Sequence, residues 1–284
     1  MLLNIVCTSK PIDGLFFYSY EYCSLLNNAG IKTNLVVICH RKFLREDYIE
    51  AIKSKYIHCE NIVFDAFSPD PDDITLIMGR SMLTLPWQNF NSYSKIQQET
   101  LKQVFKNKLI SVYSENHPSL YPKAIDFYSP TNIIDLCDFG VYPNGVGYNF
   151  EKIINFEIYK PKKDEIKFKY LFLGTNDKYY QTIEKVISDF SDHGILVSDY
   201  SHINSNLNNV LCPVDNLMGI FETYVYTKDT FDPAPRIIQE CKYFNKNIIY
   251  LRDTNIIDGG SVYWKRELKN PDIGAIIKAY SELS

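Results

Sequence analysis

The residues whose types and spacing best suit chemistry are Arg236 and Glu240, in the stretch Asp229-Thr230-Phe231-Asp232-Pro233-Ala234-Pro235-Arg236-Ile237-Ile238-Gln239-Glu240. Two prolines just ahead of a helical run are tolerated there, because the first turn has no intrahelical N–H partner to lose. The free N–H groups at that end, backed by the helix dipole, make a seat for phosphate. Arg236 falls in the first turn and Glu240 one turn later, on one face. A guanidinium holds phosphate oxygens, and a carboxylate accepts hydrogen bonds from sugar hydroxyls. The pairing suits a sugar nucleotide; a plain i,i+4 ion pair would give the same pattern.

A second set of candidates sits at the ends of short apolar runs. Gly174-Thr175 and Lys178 follow Phe168–Leu173, Asp13 follows Leu2–Cys7, Arg80 follows Ile74–Met78, and Glu115 and His117 follow Leu109–Tyr113. A carboxylate at such a position can take a proton from an acceptor hydroxyl while a nucleotide departs from the other face of the sugar. Glu115 is the first candidate for that base. His117 could support it or replace it, since imidazole titrates near neutral pH, and Asp13 is the further alternative. Charge growing on a leaving diphosphate requires Arg236, Lys178 and a helix N-terminus, or else a divalent metal. Asp70-Pro71-Asp72 has metal-ligand spacing but precedes a strand instead of following one, so no metal ligands are assigned and the need for a metal stays open.

The elements that must hold these groups alternate between two periods. Leu2–Cys7, Ile31–Cys39, Asn61–Phe67, Ile74–Met78 and Leu109–Tyr113 read as strands; Leu15–Asn28, Phe43–Lys55 and Ser94–Lys106 read as helices. Strands that are apolar throughout, alternating with helices, predict a parallel sheet covered on both faces. Pro122–Ser129, Asn132–Ile134 and Phe139–Tyr142 finish this half. G-x-G-x-x-G is absent, so a dinucleotide fingerprint is not supported. Composition shifts at Pro143–Gly147, and a lysine-rich connector spans Lys160–Lys169.

The pattern then restarts. Phe168–Leu173, Ile195–Ser198, Asn209–Cys212 and Asn247–Leu251 read as strands, and Tyr179–Phe190, Leu217–Tyr224 and Asp272–Leu283 as helices. The expected architecture is two doubly wound α/β domains, residues 1–155 and 156–284, with a cleft between them. In such sheets ligands sit beyond the carboxyl ends of the strands.

Composition narrows the partners. A hydrophobic share of 45% with 23% charged residues is that of a globular chain with a sizeable core. A net charge of −4 supplies no global field toward nucleic acid. A DNA acceptor would therefore need a local basic face, for which Arg41–Lys55, Lys102–Lys108 and Lys152–Lys169 are candidates, with Trp87, Phe90 and Tyr93 as possible wedges. No apolar run approaches ~20 residues and no basic leader precedes Leu2, so a cytoplasmic protein without membrane contact is expected. Seven cysteines without C-x-x-C spacing read as buried thiols in a reducing compartment.

Three of these stretches resemble one known family. Lys167–Thr175, Pro235–Leu251 and Lys108–Glu115, in this order of elements, resemble the GT-B glycosyltransferases, and within them the phage enzymes that glycosylate 5-hydroxymethylcytosine in DNA. The resemblance implies two Rossmann-like domains facing a cleft, the N-terminal one taking the acceptor and the C-terminal one a UDP-sugar. It implies donor contacts from Gly174, Thr175, Arg236 and Glu240, and a catalytic carboxylate at Glu115; Lys178 is a further candidate for the diphosphate, and Arg80 could reach phosphate or an acceptor. It also implies double-stranded DNA as acceptor, with a monomer as the expected state. Two departures stand out: the family's aspartate is replaced by Glu115, and the Arg–Glu spacing is one residue longer. The sugar could accordingly be glucose or a pentose such as arabinose. A surface-glycan acceptor, or a two-domain protein that binds a small ligand without chemistry, are the alternatives.

Overall fold

The computed structural model describes residues 1–11, 13–58, 61–112, 119–136, 154–160, 165–174, 194–198, 208–210, 218–226, 236–250 and 273–284. The chain divides into two compact units. The first comprises Met1–Ile158 with Asn270–Ser284, and the second Tyr159–Lys269.

Among the described residues, six strands build the first unit: β1 (Leu3–Cys7), β2 (Thr33–Val37), β3 (Ile62–Phe64), β4 (Ile74–Ile77), β5 (Lys108–Ser111) and β6 (Ile133–Asp135). All are parallel, in the order β3-β2-β1-β4-β5-β6. Every residue of β1 and β4 is buried. Two covered faces remove any need for alternation, which is why these strands read as unbroken apolar runs.

Helix α1 (Gly14–Asn28) leads from β1 to β2 and is buried continuously from Phe16 to Cys23. Its end is built into the sequence. Gly30 takes φ +84°, and the Ile31 and Gly30 N–H groups donate to the carbonyls of Leu26 and Asn27 at 2.9 and 3.0 Å. That double bond past a left-handed glycine satisfies carbonyls the helix would otherwise leave open. Helices α2 (Arg45–Lys55), α3 (Ser81–Gln88), α4 (Lys95–Lys106) and α5 (Tyr121–Tyr128) follow. Ser94 opens α4 with a capping box: its hydroxyl accepts from Gln97 N–H, and the Gln97 side chain accepts from Ser94 N–H at 3.0 Å.

The amino end of this sheet is tied by one carboxylate. Asp73, 3% exposed, accepts from Leu2 N–H at 2.6 Å, Asp70 N–H at 3.1 Å and the Asn4 amide at 3.3 Å. The loop Asp70-Pro71-Asp72-Asp73 sits at the end of the sheet away from the carboxyl rim, and its last carboxylate is consumed by structure. Asp73→Ala is expected to cost about 2–3 kcal/mol of stability, since it strands donors to a buried charged acceptor. Urea unfolding of both proteins measures it.

The second unit holds β7 (Phe168–Gly174), β8 (Gly194–Ser198), β9 (Asn208–Val210), β10 (Phe221–Tyr226) and β11 (Asn247–Tyr250). They are again all parallel, in the order β11-β10-β7-β8-β9. Helix α6 (Arg236–Tyr243) follows β10, and its Ile238 and Cys241 enter a core with Leu171, Met218, Phe221, Tyr224 and Tyr226.

Three expectations are corrected. Within Leu217–Tyr224, read as helical, residues 218–220 form a turn and Phe221–Tyr224 belong to the interior strand β10, whose residues are buried apart from Glu222. Ser81–Gln88, where only a turn at Gly79-Arg80-Ser81 and no helix was expected, is a helix that accommodates Pro86 internally. The last helix, α7 (Gly274–Leu283), belongs with the first unit and not with Tyr159–Lys269. Its buried stripe of Ile276, Ala279 and Leu283 is covered there, and Lys108 of β5 donates to the Leu283 carbonyl at 2.6 Å. A cation at a helix C-terminus also meets the negative end of the dipole. The helix expected at Tyr179–Phe190 and the segment Phe139–Tyr142 lie outside the described residues.

Candidate functional site

Strand order locates the places where each unit can bind a ligand. In a doubly wound sheet the crevice opens beyond the carboxyl ends of the two strands where the order reverses. In the second unit those strands are β7 and β10. The segment leaving β7 is Gly174-Thr175, and the segment leaving β10 runs to Arg236. Both candidate donor stretches thus depart from the switch point of one sheet.

Arg236 is the first residue of α6, and Glu240 stands one turn on. The guanidinium donates from Nε to Glu240 Oε1 at 2.7 Å, and the two side chains are only 7% and 3% exposed. Tyr159 completes the group. Its hydroxyl donates to Glu240 Oε1 at 3.0 Å and accepts from the Arg236 terminal nitrogen. Its ring packs against Tyr243 and Phe244, with centroids 6.4 and 6.1 Å apart. Burial, and then the adjacent Glu240 carboxylate, push the Cys241 thiol well above its ordinary range. A carboxylate and a guanidinium held this way are preorganised: their long side chains have already lost the freedom they would otherwise lose on gripping a ligand.

In the first unit the order reverses between β1 and β4, so the loops bearing Asp13 and Arg80 share that rim. Asp13 precedes α1, is half-buried, and its Oδ2 accepts from Lys10 N–H at 3.1 Å, closing the turn after β1. Arg80 is 1% exposed, ion-paired with Asp135 at the end of β6 and stacked over the Tyr121 ring at 4.3 Å. Arg80, whose expected role was contact with a donor phosphate or with an acceptor, is engaged inside the first unit, where it links the ends of β4 and β6 to α5. Glu115, His117, Thr175 and Lys178 lie outside the described residues.

Tyr159, Asp135 and Tyr121 carry no sequence signal. Each acts through a contact with a residue 41 or more positions away or through a rim that only the sheet assembles, so no local spacing announces them. Among the described residues no cluster of three or more His, Cys, Asp or Glu could hold a metal, and no helix is long and apolar enough to cross a membrane. Cys7, Cys23, Cys39 and Cys241 are free and buried.

No protein-family model matches the chain, and no curated protein does. Solved structures do. An alpha-glucosyltransferase in complex with UDP and a 13-mer DNA containing an HMU base is 14% identical, with a TM-score of 0.49 over 80% of this chain and 71% of that one. An alpha-glucosyltransferase in complex with UDP-glucose and DNA containing an abasic site is 12% identical, with a TM-score of 0.45 over 80% and 72%. The E. coli heptosyltransferase WaaC with ADP-2-deoxy-2-fluoro heptose is 12% identical, with a TM-score of 0.41 over both whole chains. These structures are glycosyltransferases.

Proposed function

We propose that the chain is a glycosyltransferase of the GT-B type that moves a sugar, glucose or a pentose such as arabinose, from a UDP-sugar to 5-hydroxymethylcytosine in double-stranded phage DNA. One observation carries the reading: both stretches that suit a nucleotide sugar leave the two strands flanking the switch point of the second sheet, and Arg236 and Glu240 are fixed there as a buried pair. The DNA acceptor rests on the likeness of Lys108–Glu115, Lys167–Thr175 and Pro235–Leu251 to the phage enzymes.

In this reading the second unit holds the donor. The Gly174-Thr175 backbone approaches the diphosphate, Arg236 and Lys178 neutralise it, and Glu240 takes the ribose hydroxyls. The first unit presents the acceptor to Glu115. The acceptor hydroxyl oxygen forms the new bond to the anomeric carbon as the bond to the diphosphate oxygen breaks. Its proton passes to the Glu115 carboxylate, and UDP departs with the bonding electrons. His117, close to Glu115 in sequence, supports it or serves as the base, and Asp13 is the second candidate base or positions the acceptor. A base inside a duplex must leave the stack to be reached, at a cost of a few kcal/mol.

The test is incubation with UDP-glucose and, separately, a UDP-pentose, using a duplex that carries 5-hydroxymethylcytosine and a control with cytosine. The expected product is the modified duplex heavier by one sugar residue, with binding that weakens steeply as salt rises. Absence of transfer, with no UDP binding by any measurement, would overturn the reading. Transfer to a glycan but not to DNA would leave the enzyme class and remove the acceptor.

A further inference from the structure

We propose that Tyr159 is the positioning residue of the Arg236–Glu240 pair, and that it ties this pair to the point where the chain passes from the first unit to the second. The inference rests on reading that pair as the donor-binding one.

The crossover is a single peptide bond. Ile158 closes the long segment of the first unit and Tyr159 opens the second. On one side of that bond, the Ile158 carbonyl accepts from Ile57 N–H at 2.8 Å, which fastens the strand of chain to the end of α2. On the other side, the Tyr159 side chain is 5% exposed and enters the site. Its hydroxyl accepts from Arg236 and donates to Glu240 Oε1, the oxygen that also accepts from Arg236 Nε. Three side chains therefore close a ring of hydrogen bonds. The tyrosine ring lies against Tyr243 and Phe244 at the carboxyl end of α6, while its hydroxyl meets Arg236 at the amino end.

This arrangement goes further than a packing tyrosine requires, because a phenylalanine would fill the same space. An i,i+4 pair alone leaves a guanidinium free to turn about its long stem, whereas a third partner on a rigid ring fixes its plane. A diphosphate that draws Arg236 toward itself must alter the bond to Tyr159. The change reaches a residue one peptide bond from Ile158. Donor binding and the crossover are thereby coupled through a defined set of contacts, each favoured or disfavoured by the ligand.

Tyr159→Phe keeps the ring and removes the hydroxyl. Calorimetry with UDP and with uridine, on wild type, Tyr159→Phe, Arg236→Gln and the double variant, separates the possibilities. We expect Tyr159→Phe to bind UDP about tenfold more weakly with uridine affinity changed far less. The double variant should bind UDP no more weakly than Arg236→Gln alone, because the hydroxyl acts through the guanidinium. Amide exchange at Ile57 should slow on adding UDP to wild type and not to Tyr159→Phe. Equal UDP affinity of wild type and Tyr159→Phe would overturn the proposal and leave the donor site standing. Additive losses in the double variant would reduce Tyr159 to packing and overturn it also. Wild type that binds no UDP would remove the donor site itself, and this inference with it.

Discussion

Glu115→Gln is expected to lower turnover by about 10²- to 10⁴-fold, the range that a positioned general base contributes, while leaving UDP affinity unchanged. The amide has the shape of the carboxylate and cannot accept the acceptor's proton. The loss should therefore appear in kcat and spare donor binding, which the proposed function assigns to the second unit. Asp13→Asn supplies the contrast. An asparagine keeps the carbonyl oxygen that accepts from Lys10 N–H at 3.1 Å, so the turn after β1 survives. If Asp13→Asn abolishes turnover and Glu115→Gln does not, the base is on the other loop of the rim. Single-turnover transfer measured beside calorimetry with UDP distinguishes the two.

Arg236 carries the second large effect, and it acts on stability and binding together. Arg236→Gln leaves Glu240, 3% exposed, without its cation. Stranding one member of a buried pair typically costs 3–5 kcal/mol (about that range here). UDP affinity should fall by roughly 10- to 100-fold, as expected for one charge-assisted contact. The two effects can be pulled apart. Replacing both residues, Arg236→Met with Glu240→Met, removes the stranded charge, and pairs replaced in this way are often neutral or more stable. The double variant should recover stability and still fail to bind UDP. Recovery of UDP binding along with stability would make the pair a structural ion pair only. Chemical denaturation followed by calorimetry on the same samples reads both.

The strands of the first sheet were legible because parallel strands covered on both faces are apolar throughout, as in Leu3–Cys7 and Ile74–Ile77. The same property hid β10. Leu217, Met218, Ile220, Phe221 and Tyr224 also fit a helical period, and a strand buried on both faces shows no alternation to contradict it. Helix α3 escaped notice because it is short and contains Pro86, which normally ends a helix. The return of residues 270–284 to the first unit has no counterpart in the sequence pattern. The apolar stripe of α7 says that the helix packs, not on which sheet.

The site divides along similar lines. The Arg236–Glu240 spacing follows from 3.6 residues per turn and is visible in any linear reading. That both side chains are buried and share a tyrosine from 77 and 81 positions earlier is a tertiary fact. Arg80 is similar. Its place after a strand is visible in the sequence, whereas its contacts with Asp135 and Tyr121, brought there by β6 and α5, are not.

The most direct measurement is the position of UDP in crystals of the protein grown with it. Its diphosphate should lie against Arg236 and the turn that opens α6, beyond the carboxyl ends of β7 and β10, with the ribose hydroxyls on Glu240. UDP bound elsewhere, with the Tyr159–Arg236–Glu240 ring undisturbed, would contradict the account.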